Sequence, residues 1–182
     1  MTKIFSKITD LISDLQNVPG LNLVGVDGID HVGKTPIAKE LAKALSGDSL
    51  ELDKLLPNPP TGLYDIDAER LHQSIRSIEK RPLIVEGVTL LGQLDKAGVR
   101  LDKLVYIKRM NPRGYWEDER DYGGGEYDSI VASIERGMQI VTQHDGDKPV
   151  QVPAMTRQVI RYHCDRRPFE LADYILENII QD

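Results

Sequence analysis

Cys164 is the only cysteine among 182 residues. No disulfide can close within such a chain, which fits a reducing compartment, and a cytoplasmic protein is expected. Positive charge is also scarce. Lys and Arg total 23 against 29 Asp and Glu, a net charge of −6. Broad nucleic-acid binding needs clustered positive charge, so no nucleic-acid partner is expected, although single arginines could still grip a small phosphate. Long apolar runs are missing as well. None reaches the roughly 20 residues that a bilayer span needs, and the N-terminus lacks the apolar core of a secretory signal. Internal repeats, low-complexity tracts and convincing linkers are likewise lacking. The expectation is therefore one domain over residues 1–182 with no membrane partner, a homodimer being left open.

What is present is an alternation of helical and extended patterns. Ile4, Ile8, Leu11, Ile12 and Leu15 recur at helical spacing, predicting an amphipathic leading helix over 1–18 that Pro19-Gly20 stops. Apolar runs predict strands at Leu21–Asp27, Ser49–Asp53, Pro82–Gly87, Lys103–Arg109 and Leu171–Asn178. Between them, helical periodicity covers Lys34–Leu45, Ala68–Glu79, Leu90–Ala97, Ile130–Val141 and Pro153–Cys164, and "PNPPTG" (57–62) reads as a rigid loop. Strands that are continuously apolar and alternate with helices predict an α/β fold, a parallel sheet of about five strands with helices on both faces.

The most informative string is "VDGIDHVGKT", from Val26 to Thr35. Gly28, Gly33, Lys34 and Thr35 satisfy the spacing G-x-x-x-x-G-K-[ST] of a phosphate-binding loop, which a chain of this composition would match by chance about 0.006 times. In such a loop the amides of Gly28, Ile29, Asp30, His31, Val32 and Gly33 surround a phosphate, lysine bridges the β- and γ-phosphates, and the threonine hydroxyl serves Mg²⁺. The flanking strand and helix strengthen the assignment. Pro36 falls in the first helical turn, where its missing N–H need not break the helix, but it removes one donor that could face the nucleotide.

Phosphoryl transfer also needs a base for the acceptor and carboxylates beside the metal, and in an open parallel sheet these belong at the carboxyl ends of strands. Three acids fall there. Asp53 is the candidate base and a metal neighbour, against a helix-cap or turn role. Glu86, in the apolar "IVEG", is the candidate Mg²⁺ ligand, against an ion pair with an arginine. Asp27 could contact substrate or cap the loop. "RMNPRGYWEDERDYGGGE" (109–126) reads as a lid in which Arg109 neutralises the transferring charge and Arg113 and Arg120 assist. The competing reading is a solvated loop whose charges pair with Glu117, Asp118, Glu119 and Asp121. Arg161, Arg166 and Arg167 form a second basic cluster.

These strings, in order, resemble the uridine kinase-like branch of P-loop kinases, to which phosphoribulokinase and pantothenate kinase belong. The strings are "LVGVDGIDHVGKTPIAKELAKAL", "LELD", "IVEGVTLL", "LVYI" and "YHCDRRPFELADYILEN". The resemblance implies a three-layer P-loop NTPase fold and a kinase using ATP and Mg²⁺ on the hydroxyl of a small-molecule acceptor. It implies Asp53 as base and Thr35 and Glu86 at the metal. "GLYDIDAERL" is similar to the family's substrate-side segment without its His-Pro, which makes Tyr64 and Asp65 candidate substrate contacts. Only Lys80 and Arg81 stand where that family places its substrate hairpin, so the acceptor stays open. A nucleoside monophosphate kinase, with Arg70 and Arg76 on the acceptor side, and a nucleotide-binding regulator that transfers nothing are the alternatives.

Overall fold

The structure, a computed structural model, describes residues 1–57, 62–142 and 151–179, with no side-chain description at 141 and 142. The loop expected over 57–62 lies outside the described residues except at its ends. Among the described residues six parallel strands form one sheet: β1 (Lys3–Phe5), β2 (Leu23–Asp27), β3 (Asp48–Glu51), β4 (Leu83–Gly87), β5 (Lys103–Met110) and β6 (Tyr174–Ile179). Their order is β1-β6-β5-β2-β4-β3, which puts the strand that feeds the phosphate loop near the middle. The helices are α1 (Ile8–Gln16), α2 (Lys34–Ala44), α3 (Ala68–Ser77), α4 (Leu90–Lys96), α5 (Glu119–Tyr122), α6 (Tyr127–Thr142), α7 (Ala154–Arg166) and α8 (Pro168–Leu171).

The layers follow from the period of two in the strands. Val24, Val26, Ile84, Val105 and Ile107 face one way and pack with Leu11 and Leu15 of α1 and Ile37, Ala38 and Leu41 of α2. Leu23, Leu83, Val85, Leu104 and Tyr106 face the other way, onto Leu71 and Ile75 of α3 and Leu90 and Leu94 of α4. Both faces are thus covered, and strands buried on both sides must be apolar throughout. A smaller cluster of Ile130, Val131, Val152 and Ile160 joins α6 to α7. Among the described residues no helix is long and apolar enough to cross a membrane.

Two expectations are corrected. The leading helix does not begin at Lys3. Lys3–Phe5 is a sixth strand, paired in register with Tyr174–Leu176 of β6, and only Ile8–Gln16 is helical. Pairing with the far end of the chain captured three residues whose periodicity alone could not separate them from the helix. Asp53 does not end a strand either. β3 stops at Glu51, and Asp53 lies in the 3-10 turn Leu52–Leu55 that follows.

Candidate phosphate-transfer site

The loop between β2 and α2 is held from three directions. Gly28 has φ +151, and a Cβ there would sit 3.0 Å from the Ile107 carbonyl oxygen and 3.0 Å from Val32 Cγ2, so only glycine fits. Gly33 caps α2 in the left-handed region at φ 89, and Asn178 Nδ2 on β6 donates to the Val32 carbonyl at 2.9 Å. His31, although not glycine, also has a positive φ of 62 at the exposed tip. Beneath the loop, fully buried Asp27 accepts from the Gly28 N–H at 2.7 Å and from the Tyr162 hydroxyl. Burial pushes its carboxyl up to about 7, although the Tyr162 and Gly28 hydrogen bonds and Lys34 pull the other way.

Lys34 opens α2 and is itself buried. Its ammonium donates to the Ile29 carbonyl at 2.6 Å, inside the loop. Desolvation lowers its pKa, while Asp30, Glu86, Asp27 and Asp53 oppose that shift. Thr35 Oγ1 donates to Glu86 Oε1 at 2.7 Å, which joins the loop to the end of β4. Glu86 is only 5% exposed, and burial raises its pKa against the pull of Thr35 and Lys34. Asp53 is exposed at the rim. Desolvation of its carboxyl raises its pKa, with Lys34 opposing and Asp30 and Glu51 adding to the rise.

These groups meet in one cavity of about 360 Å³ at the carboxyl end of the sheet, lined by Asp30, His31, Gly33, Lys34, Thr35, Pro36, Asp53 and Glu86. The place is the one that parallel α/β sheets use for ligands. Pro36, third in α2, adds no N–H to it. A second cavity of about 310 Å³ adjoins the first at Asp30 and His31 and reaches Arg109, Asp118 and Tyr122.

Two expected substrate contacts are placed elsewhere. Asp27 lies under the loop as its cap and lines neither cavity. Asp65 lines neither, and its exposed carboxylate pairs with Lys96 at 2.9 Å. Tyr64 does approach the loop: its hydroxyl donates to Asp30 at 3.1 Å. Two glutamines clamp its backbone. The Tyr64 carbonyl accepts from Gln93 Nε2 at 2.8 Å and Gln158 Nε2 at 2.7 Å, and its N–H donates to Gln158 Oε1 at 2.7 Å. Neither glutamine was singled out from the sequence. The available signal was Gln93 at helical spacing with Leu90, Leu94 and Ala97, a polar residue on an apolar face.

Within the expected lid, charges pair with one another. Arg109 sits between Glu117, with Nε 2.9 Å from Oε2, and Asp118, which accepts from its Nη2. Burial raises the Asp118 carboxyl while Arg109 holds it down. Arg120 pairs with its neighbour Asp121 at 2.8 Å, and Arg113 is exposed. An antiparallel bridge between Met110 and Trp116 closes the base of the segment.

No protein-family model and no curated sequence matches the chain. Solved structures do resemble it. A protein described as a possible uridine kinase from Bacillus stearothermophilus aligns with 93% of this chain and 97% of its own, at 16% identity and a TM-score of 0.56. A candidate fructose transport system kinase from Silicibacter sp. TM1040 aligns over 93% and 98% of the two chains, at 17% identity and a TM-score of 0.44. At such identities the likeness concerns the fold. The chain has the three-layer α/β fold of the first of these, with its glycine-lysine loop between a central parallel strand and the helix that follows.

Proposed function

We propose that this chain is a kinase that uses ATP and Mg²⁺ to phosphorylate a hydroxyl of a small molecule. The observation that carries the reading is the shared cavity of Lys34, Thr35, Asp53 and Glu86 at the mouth of the phosphate loop. The kinase named for the similar Bacillus structure supports the same direction.

On this reading the loop amides and the Lys34 ammonium bind the β- and γ-phosphates, with Lys34 leaving the Ile29 carbonyl to do so. The donor set fits Mg²⁺. A hydroxyl and a nearly buried carboxylate whose hydrogen bond is to that hydroxyl are hard oxygen ligands, and Mg²⁺ takes one or two such groups plus phosphates and water. No cluster of three or more His, Cys, Asp or Glu side chains suits a metal among the described residues, so an all-protein cage is not the arrangement on offer. Bound there by Thr35 and Glu86, Mg²⁺ would neutralise phosphate charge. Asp53, at the cavity rim and made more basic by its surroundings, accepts the proton of the attacking hydroxyl.

The test is ADP release by the purified chain with ATP and Mg²⁺ over a panel of hydroxyl compounds, with ATP binding measured separately. Lys34→Ala should weaken ATP binding on the order of 10–100-fold, the loss of a charge-assisted contact. Asp53→Asn should leave ATP binding intact and lower turnover at least about 100-fold. Unchanged ATP affinity in the lysine variant would overturn the loop assignment, and unchanged turnover in the asparagine variant the assignment of the base.

A further inference from the structure

Among the described residues, three buried side-chain atoms have no hydrogen-bond partner: Arg109 Nε, Asp118 Oδ2 and His163 Nε2. Two of the three belong to residues that line the second cavity, and the third lies one side chain behind it. Arg109 and Asp118 line it together with Tyr122 and Val159, and the fully buried His163 ring packs 5.2 Å from that of Tyr122. Arg109 Nε lies within ion-pair distance of Glu117 but off the line that a hydrogen bond needs. Buried polar atoms left without partners are rare in folded proteins and need an explanation. Asp118 is 8% exposed, and one of its oxygens is taken by Arg109 while the other has nothing.

The charge around this cavity has a definite sign. Asp30 and Asp118 are in its wall, and Glu117 stands behind Arg109, so three carboxylates surround one guanidinium. That guanidinium already serves two of them. Arg157 is engaged with Glu135, Arg120 with Asp121, and Arg70 with the Leu55 carbonyl at 3.2 Å, and Arg113 does not line this cavity. A phosphate or carboxylate entering here would meet like charge and gain few donors. A hydroxyl or ammonium group would instead find acceptors in the Asp30 and Asp118 carboxylates of the wall, and Ile29, Val159 and the Tyr122 ring would cover its carbon skeleton.

We infer that the second cavity is the acceptor pocket and that it takes an uncharged or cationic, donor-rich alcohol, a polyol, nucleoside or amino alcohol, and not a phosphate monoester. Calling this molecule the acceptor rests on the kinase reading; its binding and its charge class do not. The pocket meets the phosphate cavity at Asp30 and His31, so a hydroxyl of the bound molecule lies toward the loop. Tyr64, clamped by Gln93 and Gln158 and donating to Asp30, is a positioning residue for that shared wall.

The experiment is ligand-observed NMR on the full chain, without nucleotide and then with a non-hydrolysable ATP analogue and Mg²⁺, using matched pairs at millimolar concentration. The pairs are uridine and UMP, ribitol and ribitol 5-phosphate, and ethanolamine and phosphoethanolamine. At least one unphosphorylated member should bind, and bind at least about 10-fold more tightly than its phosphate. Asp118→Asn should weaken that binding about 10-fold, and Thr156→Val, which alters the part of the lining that α7 supplies and leaves the Arg109 pair in place, should weaken it less, with affinity for the ATP analogue unchanged in both. Tighter binding of the phosphorylated members, no binding by any unphosphorylated member, or indifference to both substitutions would overturn the inference. Loss of ATP binding or of ADP release alone would instead count against the kinase reading, because the pocket is read without turnover.

Discussion

The phosphate loop and the segment at 109–126 both carry charge to the same end of the sheet, but they hold it differently. In the loop three side chains have partners from other elements: Asp27 has Tyr162 of α7, Thr35 has Glu86 of β4, and Asp30 has Tyr64, while Lys34 bonds within the loop to the Ile29 carbonyl. In the other segment, partners are sequence neighbours, and two of the three orphaned buried atoms belong to it. A framework of distant anchors fixes a geometry before a ligand arrives, whereas local pairs can be exchanged for a ligand without disturbing the sheet. The loop is built as a fixed cradle, and the Arg109 segment as the part that can respond.

The largest effect should come from breaking the second arrangement. Arg109→Ala leaves Asp118 buried without its cation and should destabilise the fold by about 1–3 kcal/mol in urea unfolding; adding Asp118→Ala should recover much of that. A change within about 0.5 kcal/mol would mean that the pair is loose and the contrast overdrawn. Somewhat smaller, Tyr162→Phe removes the hydroxyl hydrogen bond to the Asp27 carboxylate, about 1–2 kcal/mol, and should move the Asp27 carboxyl further up as read by carboxyl NMR.

A pH series sharpens the comparison, because two buried groups beneath it act with opposite sign. Asp27 titrates in the fold at about 7, above its ordinary 3.8, so the folded state holds a proton that the unfolded state has lost, and stability falls as pH rises through that window. His163 is driven by burial to about 4, below 6.5, so there the unfolded state binds the extra proton and stability rises with pH between those values. The two slopes oppose each other between about pH 4 and 6.5 and should leave the wild-type profile shallow. Asp27→Asn should steepen the rise, and His163→Phe should convert it to a decline, both read from urea midpoints. The smallest effect belongs to Arg113→Ala. Exposed and with only its backbone N–H bonded to Asn111, it should shift stability by less than about 0.5 kcal/mol, so any loss of turnover in that variant reports on transfer alone.

Which features were legible in the sequence follows from how far their causes lie along the chain. Gly28, Gly33, Lys34 and Thr35 act within eight residues, and their spacing gave the loop, its strand and its helix. The layers were readable because strands buried on both faces must be apolar. By contrast β1 is a strand only because β6 lies beside it, and its Ile4 had counted equally well toward a helical stripe with Ile8. Asp53 was displaced by two residues because a strand end is a matter of pairing, and β3 loses its partner at Glu86. Asp65 matched a family string, yet Lys96, thirty-one residues on, determines where its carboxylate points. The glutamine clamp on Tyr64 joins residues up to ninety-four apart and had no local signal beyond one polar side chain on an apolar face.

The bond from Asn178 to the Val32 carbonyl spans 146 residues, and β1 pairs with that same last strand. The loop is made long before one of its three anchors, and the first strand long before its partner. Parallel pairings over such separations form slowly, since loop closure precedes any gain from contact. Until β6 docks, the loop therefore lacks one of its anchors, and its completion and the pairing of β1 should arrive together in one step.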